Sequence, residues 1–122
     1  MYDHISLKVK NYDKSRKFYE SALAPLGYAL VEEYEGTTAG FGPDGKSHLW
    51  IHQGTPSPAG LHIAFASPSR GAVQAFHEAA VKAGGRDNGA PGLREKYSPT
   101  YYAAFAFDPD GNNVEAVCHK GK

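Results

Sequence analysis

The chain has 122 residues but only one cysteine, one methionine and one tryptophan. The lone Cys118 excludes an intrachain disulfide, so stability has to come from packing. Long hydrophobic runs are missing. The longest, Tyr101 to Phe107, falls far short of the ~20 residues that a membrane-spanning helix needs. The opening MYDHISLKVK lacks the apolar stretch of a secretory leader, which predicts a cytoplasmic protein with no membrane partner. An excess of charge of either sign is missing too, since thirteen Lys and Arg offset thirteen Asp and Glu. Without a basic stripe, nucleic acid is not the expected partner. Aromatic residues are plentiful by contrast. Eight of them are tyrosines, whose apolar body and polar tip suit a core edge or a ligand cleft.

The chain also repeats itself. A shift of 58 places His4 on His62, Ile5 on Ile63, Phe18 on Phe76, Ala22 on Ala80 and Gly27 on Gly85. A shift of 66 places Phe41-Gly-Pro-Asp-Gly45 on Phe107-Asp-Pro-Asp-Gly111. One unit of about half the chain is therefore written twice, with eight extra residues in the second copy. The units span 1–54 and 61–119, joined by a Pro- and Gly-rich linker at 55–60, within a single domain.

Each copy reads strand, helix, strands. Residues 2–9 alternate between apolar and polar, the period of a half-buried strand. Residues 12–24 carry Phe18, Tyr19, Ala22 and Leu23 at helical spacing, with Asn11 or Asp13 as the cap. Strands follow near 28–35, 38–42 and 47–53. The second copy predicts a strand at 61–67, a helix over 70–83 capped by Ser67 or Ser69, and strands at 100–107 and 112–118. The segment 86–99, rich in Gly, Pro and charge, reads as an irregular lid beside a cleft. Two βαβββ units predict an α+β fold, a curved mixed sheet with helices on its outer face and a concave inner face.

Strand parity then says which side chains line the concavity. With the strongly apolar set under the helices, His4, Ser6 and Lys8 face the cleft from the first strand and His62 from the fifth. His48, Trp50 and His52 face it from the fourth, and Asn113 and Glu115 from the eighth. His4, His62 and Glu115 form a metal-ligand set of two imidazoles and one carboxylate. Such a triad leaves coordination positions open and suits divalent Fe, Mn, Zn or Ni. The plainer alternatives are a strand-end histidine bonded to a backbone carbonyl and a rim glutamate paired with Lys or Arg. Arg94 could clamp a carboxylate or phosphate, with Tyr101 and Tyr102 nearby; the alternative is an ordinary solvated loop. Cys118 falls on the helix side and reads as packing.

These residues resemble the vicinal oxygen chelate superfamily, which includes glyoxalase I, extradiol dioxygenases, fosfomycin-resistance thiol transferases and bleomycin-binding proteins. The matching pieces are Asp3-His-Ile-Ser6, Phe18-Tyr19 with Gly27, Leu61-His-Ile-Ala64 and Asp108-Pro-Asp-Gly-Asn-Asn-Val-Glu115. The resemblance implies that His4, His62 and Glu115 hold a divalent metal that chelates vicinal oxygens of a small-molecule substrate. It also implies a homodimer, with the cleft built in one chain or from units exchanged between two. Trp50 stands where glyoxalase I carries a fourth ligand, a glutamate, and His48 or His52 on the same face could substitute for it. Ser6 matches a substrate-contacting threonine of the thiol transferases, but Phe105 replaces their tyrosine. The expected function is a metal-dependent isomerase or lyase, dioxygenase or thiol transferase. The alternative is a non-catalytic module that sequesters a planar ligand against Trp50 and the tyrosines.

Overall fold

The computed structural model describes residues 2–58 and 60–121. Met1 and Ala59, which fall inside the expected first unit and linker, and Lys122 lie outside the described residues. The first half contains β1 (Ile5–Val9), α1 (Tyr12–Leu23), β2 (Ala29–Tyr34), β3 (Thr38–Gly42) and β4 (Leu49–Gln53). The second contains β5 (His62–Ala66), α2 (Arg70–Lys82), β6 (Arg86–Leu93), β7 (Tyr102–Phe107) and β8 (Asn113–Cys118). The strands form two four-stranded sheets, ordered β1-β4-β3-β2 and β5-β8-β7-β6. In each, the first and last strands of the unit pair in parallel and the others antiparallel. The fold is α+β, one helix to each mixed sheet.

Local chemistry explains the elements. Asn11 caps α1 by accepting from the Lys14 amide, and Ser69 caps α2 by accepting from the Ala72 amide. Each cap satisfies one of the amides that a helix start leaves unpaired. The duplicated glycines Gly27 and Gly85 turn out to serve different needs. Gly27 takes a left-handed φ of 91°, which ends the single 3-10 turn at Ala24–Leu26. Gly85 is there for space. A Cβ on it would lie 2.5 Å from a Phe18 ring carbon and 2.7 Å from the Phe107 carbonyl oxygen.

The helices pack on each other and cover one side of the sheets. Phe18, Tyr19, Ala22 and Leu23 of α1 meet Val73, Phe76 and Ala80 of α2 above Leu7, Val9, Leu49, Ile51, Val114, Ala116 and Cys118. All are buried, and each large apolar side chain contributes roughly 1.5–3 kcal/mol on leaving water. A polar lock crosses between the halves within this layer. The buried Tyr19 hydroxyl donates to Asp108 Oδ2 at 2.5 Å. Asp108 also accepts from the Asp110 and Asn112 amides and from Asn112 Nδ2, so the β7–β8 turn is held rigid.

Two expectations are corrected. Alternation groups Ile5 with Leu7 and Val9 under the helices, yet it is 39% exposed and lines a groove between β1 and β5. The segment 86–99 was read as irregular, yet its first eight residues form β6. Gly, Pro and charge hid that strand. It pairs with β7 through register shifts at 87/89 and 89/92, and β2 carries a comparable shift at 30/32. Only the turn from Arg94 to Tyr101 remains outside strands, closed by the Arg94 amide donating to the Tyr101 carbonyl at 2.7 Å.

Candidate metal and substrate site

The parallel ladder between β5 and β8 pairs His62 with Asn113 and Ala64 with Glu115. His62 and Glu115 are therefore diagonal neighbours on the face turned away from the helices. Their side chains meet, with His62 Nε2 2.8 Å from Glu115 Oε1. The other carboxylate oxygen accepts from the Tyr101 hydroxyl at 2.5 Å. The Glu115 side chain is only 2% exposed, whereas that of His62 is 55% exposed. Phe105, opposite Glu115 on β7, covers it, and its ring centroid lies 6.3 Å from that of His62. Burial, then the bond to Glu115, pushes the Tyr101 hydroxyl up to about 12, so it stays a donor across the neutral range. The edge of His119 packs on Tyr101 at 5.2 Å.

A buried carboxylate is costly unless it is paired. The alternative pairing with Lys or Arg is not formed, and the only partners of Glu115 among the described residues are His62 and Tyr101. A divalent cation suits this donor set. His62 would hold it through an imidazole nitrogen and Glu115 through a carboxylate oxygen.

The other predicted residues are spread out. His4, just before β1, lies opposite His48, since the Ile5 amide bonds the His48 carbonyl. His4 Nδ1 pairs with Asp3 Oδ1 at 2.8 Å, which with Lys46 holds the Asp3 carboxyl below its usual range. A carboxylate on one ring nitrogen fixes the tautomer and leaves the other nitrogen for a metal. However, His4 shares its groove with Ile63 to Ala66, the part of β5 beyond His62. Among the described residues, no three His, Cys, Asp or Glu lie close enough to hold a metal. One chain thus joins two of the three expected ligands.

Ser6 lies with Lys8, Thr55 and Ser57 in a separate hollow beside the linker. On β4, Trp50 lies between Tyr34 and His52, 6.3 Å from each and 16° from parallel with both. Gly40 leaves space for Ser47 and for Trp50, since a Cβ there would sit 2.4 Å from Ser47 Oγ and 3.0 Å from the indole. The register sets Ser6, Trp50 and Gly40 side by side as it does Ala64, Glu115 and Phe105. Trp50 therefore occupies in the first half the place of Glu115 in the second. His48 and His52 remain on the first sheet. Tyr102, expected in the pocket, lies on the helix side instead. It accepts from Gln74 of α2 and lies under Arg70, because β7 parity aligns it with Ala104 and Ala106 rather than with Tyr101.

Arg94 folds back over Phe105 and donates to the Ala90 carbonyl, bordering a hollow with Asn88, Lys96, Tyr97 and Asn113. Phe105, Asn88 and Tyr97 were not singled out as pocket residues. The alternation of β7 would have found Phe105, but nothing local marks the other two.

The sequence model of the Glyoxalase/Bleomycin resistance protein/Dioxygenase superfamily matches residues 2–116, and the chain belongs to that superfamily. Among solved structures it is similar to a glyoxalase/bleomycin resistance protein from Albidiferax ferrireducens (27% identity, TM-score 0.81, 97% of this chain and 98% of that one). It is also similar to a glyoxalase I mutant from Zea mays (25% identity, TM-score 0.68), covering 95% of this chain but 46% of that one. A lactoylglutathione lyase from Agrobacterium tumefaciens shares the fold at 14% identity (TM-score 0.70, 97% and 92% covered). No curated protein matches the chain.

Proposed function

We propose that the protein is a metal-dependent enzyme acting on a small molecule with vicinal oxygens, and that it works as a homodimer. The observation that carries this reading is the buried Glu115 carboxylate, which faces an exposed imidazole and has no Lys or Arg paired with it among the described residues. His62 and Glu115 of one chain and His4 of a second would hold the metal. Both open sheet faces lie on the side away from the shared helix layer, where a second copy would close a cleft over them. When bound, a divalent cation supplies Lewis acidity that stabilises an anion developing on substrate oxygen. The chain's own residues do the rest. Tyr101 holds Glu115 in place with a proton that stays on its oxygen. Phe105 keeps water from the carboxylate, and the pair of rings at Trp50 and Tyr34 offers a flat apolar wall. The maize chain, about half of which this domain matches, has room for two such domains in one polypeptide, as two chains would provide here. Isomerase or lyase, dioxygenase and thiol-transferase chemistry all fit this donor set.

The row formed by Tyr34, Trp50 and His52 favours one other reading, a module that sequesters a planar compound without turning it over. Elemental analysis after purification without chelator separates the two. We expect about one transition metal per chain in the parent protein and a loss of about tenfold or more in Glu115→Gln. Equal metal content in both sinks the metalloenzyme.

A further inference from the structure

Beside His62, on the same open face, lies a hollow of about 280 Å³ lined by Asn88, Arg94, Lys96, Tyr97, Phe105 and Asn113. Its lining contains two cations, two amides and two aromatic rings, with no carboxylate. Neither Arg94 nor Lys96 forms an ion pair among the described residues. The nearest acids in sequence do not line it. Glu95 is exposed, and Asp87 is taken by His77 and the Gly89 amide.

Arg94 is held in a set pose. Its guanidinium carbon lies 5.4 Å from the Phe105 ring centroid, and Nη2 donates to the Ala90 carbonyl at 2.8 Å. Two glycines of β6 make space for it. A Cβ on Gly89 would come within 2.8 Å of Phe105 Cδ1 and 3.2 Å of Nη2, and one on Gly92 within 3.1 Å of Nη1. These are the glycines at which β6 slips register against β7. The strand irregularity therefore coincides with a seat for the guanidinium. One of its five donors is spent on Ala90, and most of the planar fork is left to bind an oxyanion. Asn88 Nδ2 donates to Asn113 Oδ1 at 3.2 Å, which fixes the second amide on the opposite wall.

We infer that this hollow is a carboxylate subsite, in which Arg94 grips the anionic group of a small acid whose paired oxygens lie at His62 and Glu115. The inference rests on the reading of the His62–Glu115 pair given above and adds the substrate class to it. Phe105 joins the two parts, with the His62 ring on one side and the guanidinium on the other. A compact acid with an apolar or aromatic middle spans that ring. Lys96 at the rim adds attraction without a fixed geometry, its Nζ lying 5.2 Å over Tyr97.

The probes are benzoate against benzamide, then 3,4-dihydroxybenzoate against catechol, titrated into the metal-loaded protein by calorimetry. We expect the acid of each pair to bind about tenfold or more tightly than its neutral partner, with the preference falling to about twofold or less in Arg94→Gln. Arg86→Gln removes the same charge from an arginine stacked on Phe107 instead, and we expect it to keep the preference. Lys96→Gln, at an exposed position, should lower the preference by a smaller factor, and it keeps the test decisive should Arg94→Gln fail to fold. A preference absent from the parent protein, surviving in Arg94→Gln, or lost equally in Arg86→Gln overturns the subsite. Glu115→Gln separates this result from the metal reading. It should abolish catechol binding and leave the preference for benzoate over benzamide. If catechol binding survives there, the metal reading fails while the carboxylate subsite stands.

Discussion

If a metal site is completed by His4 of a second chain, two defective chains can repair each other. The perturbations are His4→Ala and Glu115→Gln. The first removes an exposed side chain at the start of β1, so it leaves the core intact. The second replaces a buried carboxylate with an amide of the same shape that can still bond Tyr101 and His62. Each homodimer then lacks one ligand at both sites. In a heterodimer carrying one chain of each kind, one site receives the intact His4 and the intact Glu115, and the other receives neither. The two chains carry different affinity tags, and sequential capture isolates the heterodimer. Metal per chain should then be about half the parent value, against near zero for either homodimer. A site completed within one chain gives near zero in the heterodimer as well, and that result refutes the shared cleft. Metal retained in the His4→Ala homodimer refutes the role of His4 altogether.

Two further outcomes follow from the hydrogen-bond pattern. Tyr19→Phe leaves Asp108 Oδ2 without its donor from α1, and we expect urea unfolding to report a loss of about 1–3 kcal/mol; no loss would show that the lock between the halves is unimportant. Tyr101 titrates near 12 against an ordinary 10.0, so its protonated form is favoured by folding. The resulting stability is complete below pH 10 and is lost as pH rises toward 12, and Tyr101→Phe should make that part of the stability profile shallower, Tyr12 and Tyr19 being raised as well. An unchanged profile would mean that neither burial nor Glu115 holds the proton on this hydroxyl.

The sequence carried the fold in its duplication and its alternation. Once Phe18 falls on Phe76 and Ala22 on Ala80, the helices follow, and the parity of Leu49, Ile51, Val114 and Ala116 assigns the core face. What it hid was hidden for physical reasons. Residues 86–93 are poor strand formers by composition, and only pairing with β7 makes them a strand. Tyr101 and Tyr102 are adjacent, and which of them enters the site depends on a strand boundary that composition does not fix. Alternation put Glu115 on the open face. It did not show that Tyr101 and Phe105 bury the carboxylate there, because that cover comes from β7 and from the turn before it. Contacts between chains leave no periodic trace, so whether His4 works with His62 of its own chain or of another was open from the sequence.

The register slips in β2 and β6 bear on how open these sheet edges are to strand addition. These two strands are the outer edges of their sheets, where unpaired amides and carbonyls invite a neighbouring molecule to add a strand. Each slip twists the edge away from the flat geometry that such growth requires. Glu32 and Glu33 add charge on one edge, and Pro91 removes a donor from the other. Both copies of the unit thus guard the same strand position against fibril-like stacking, by different residues.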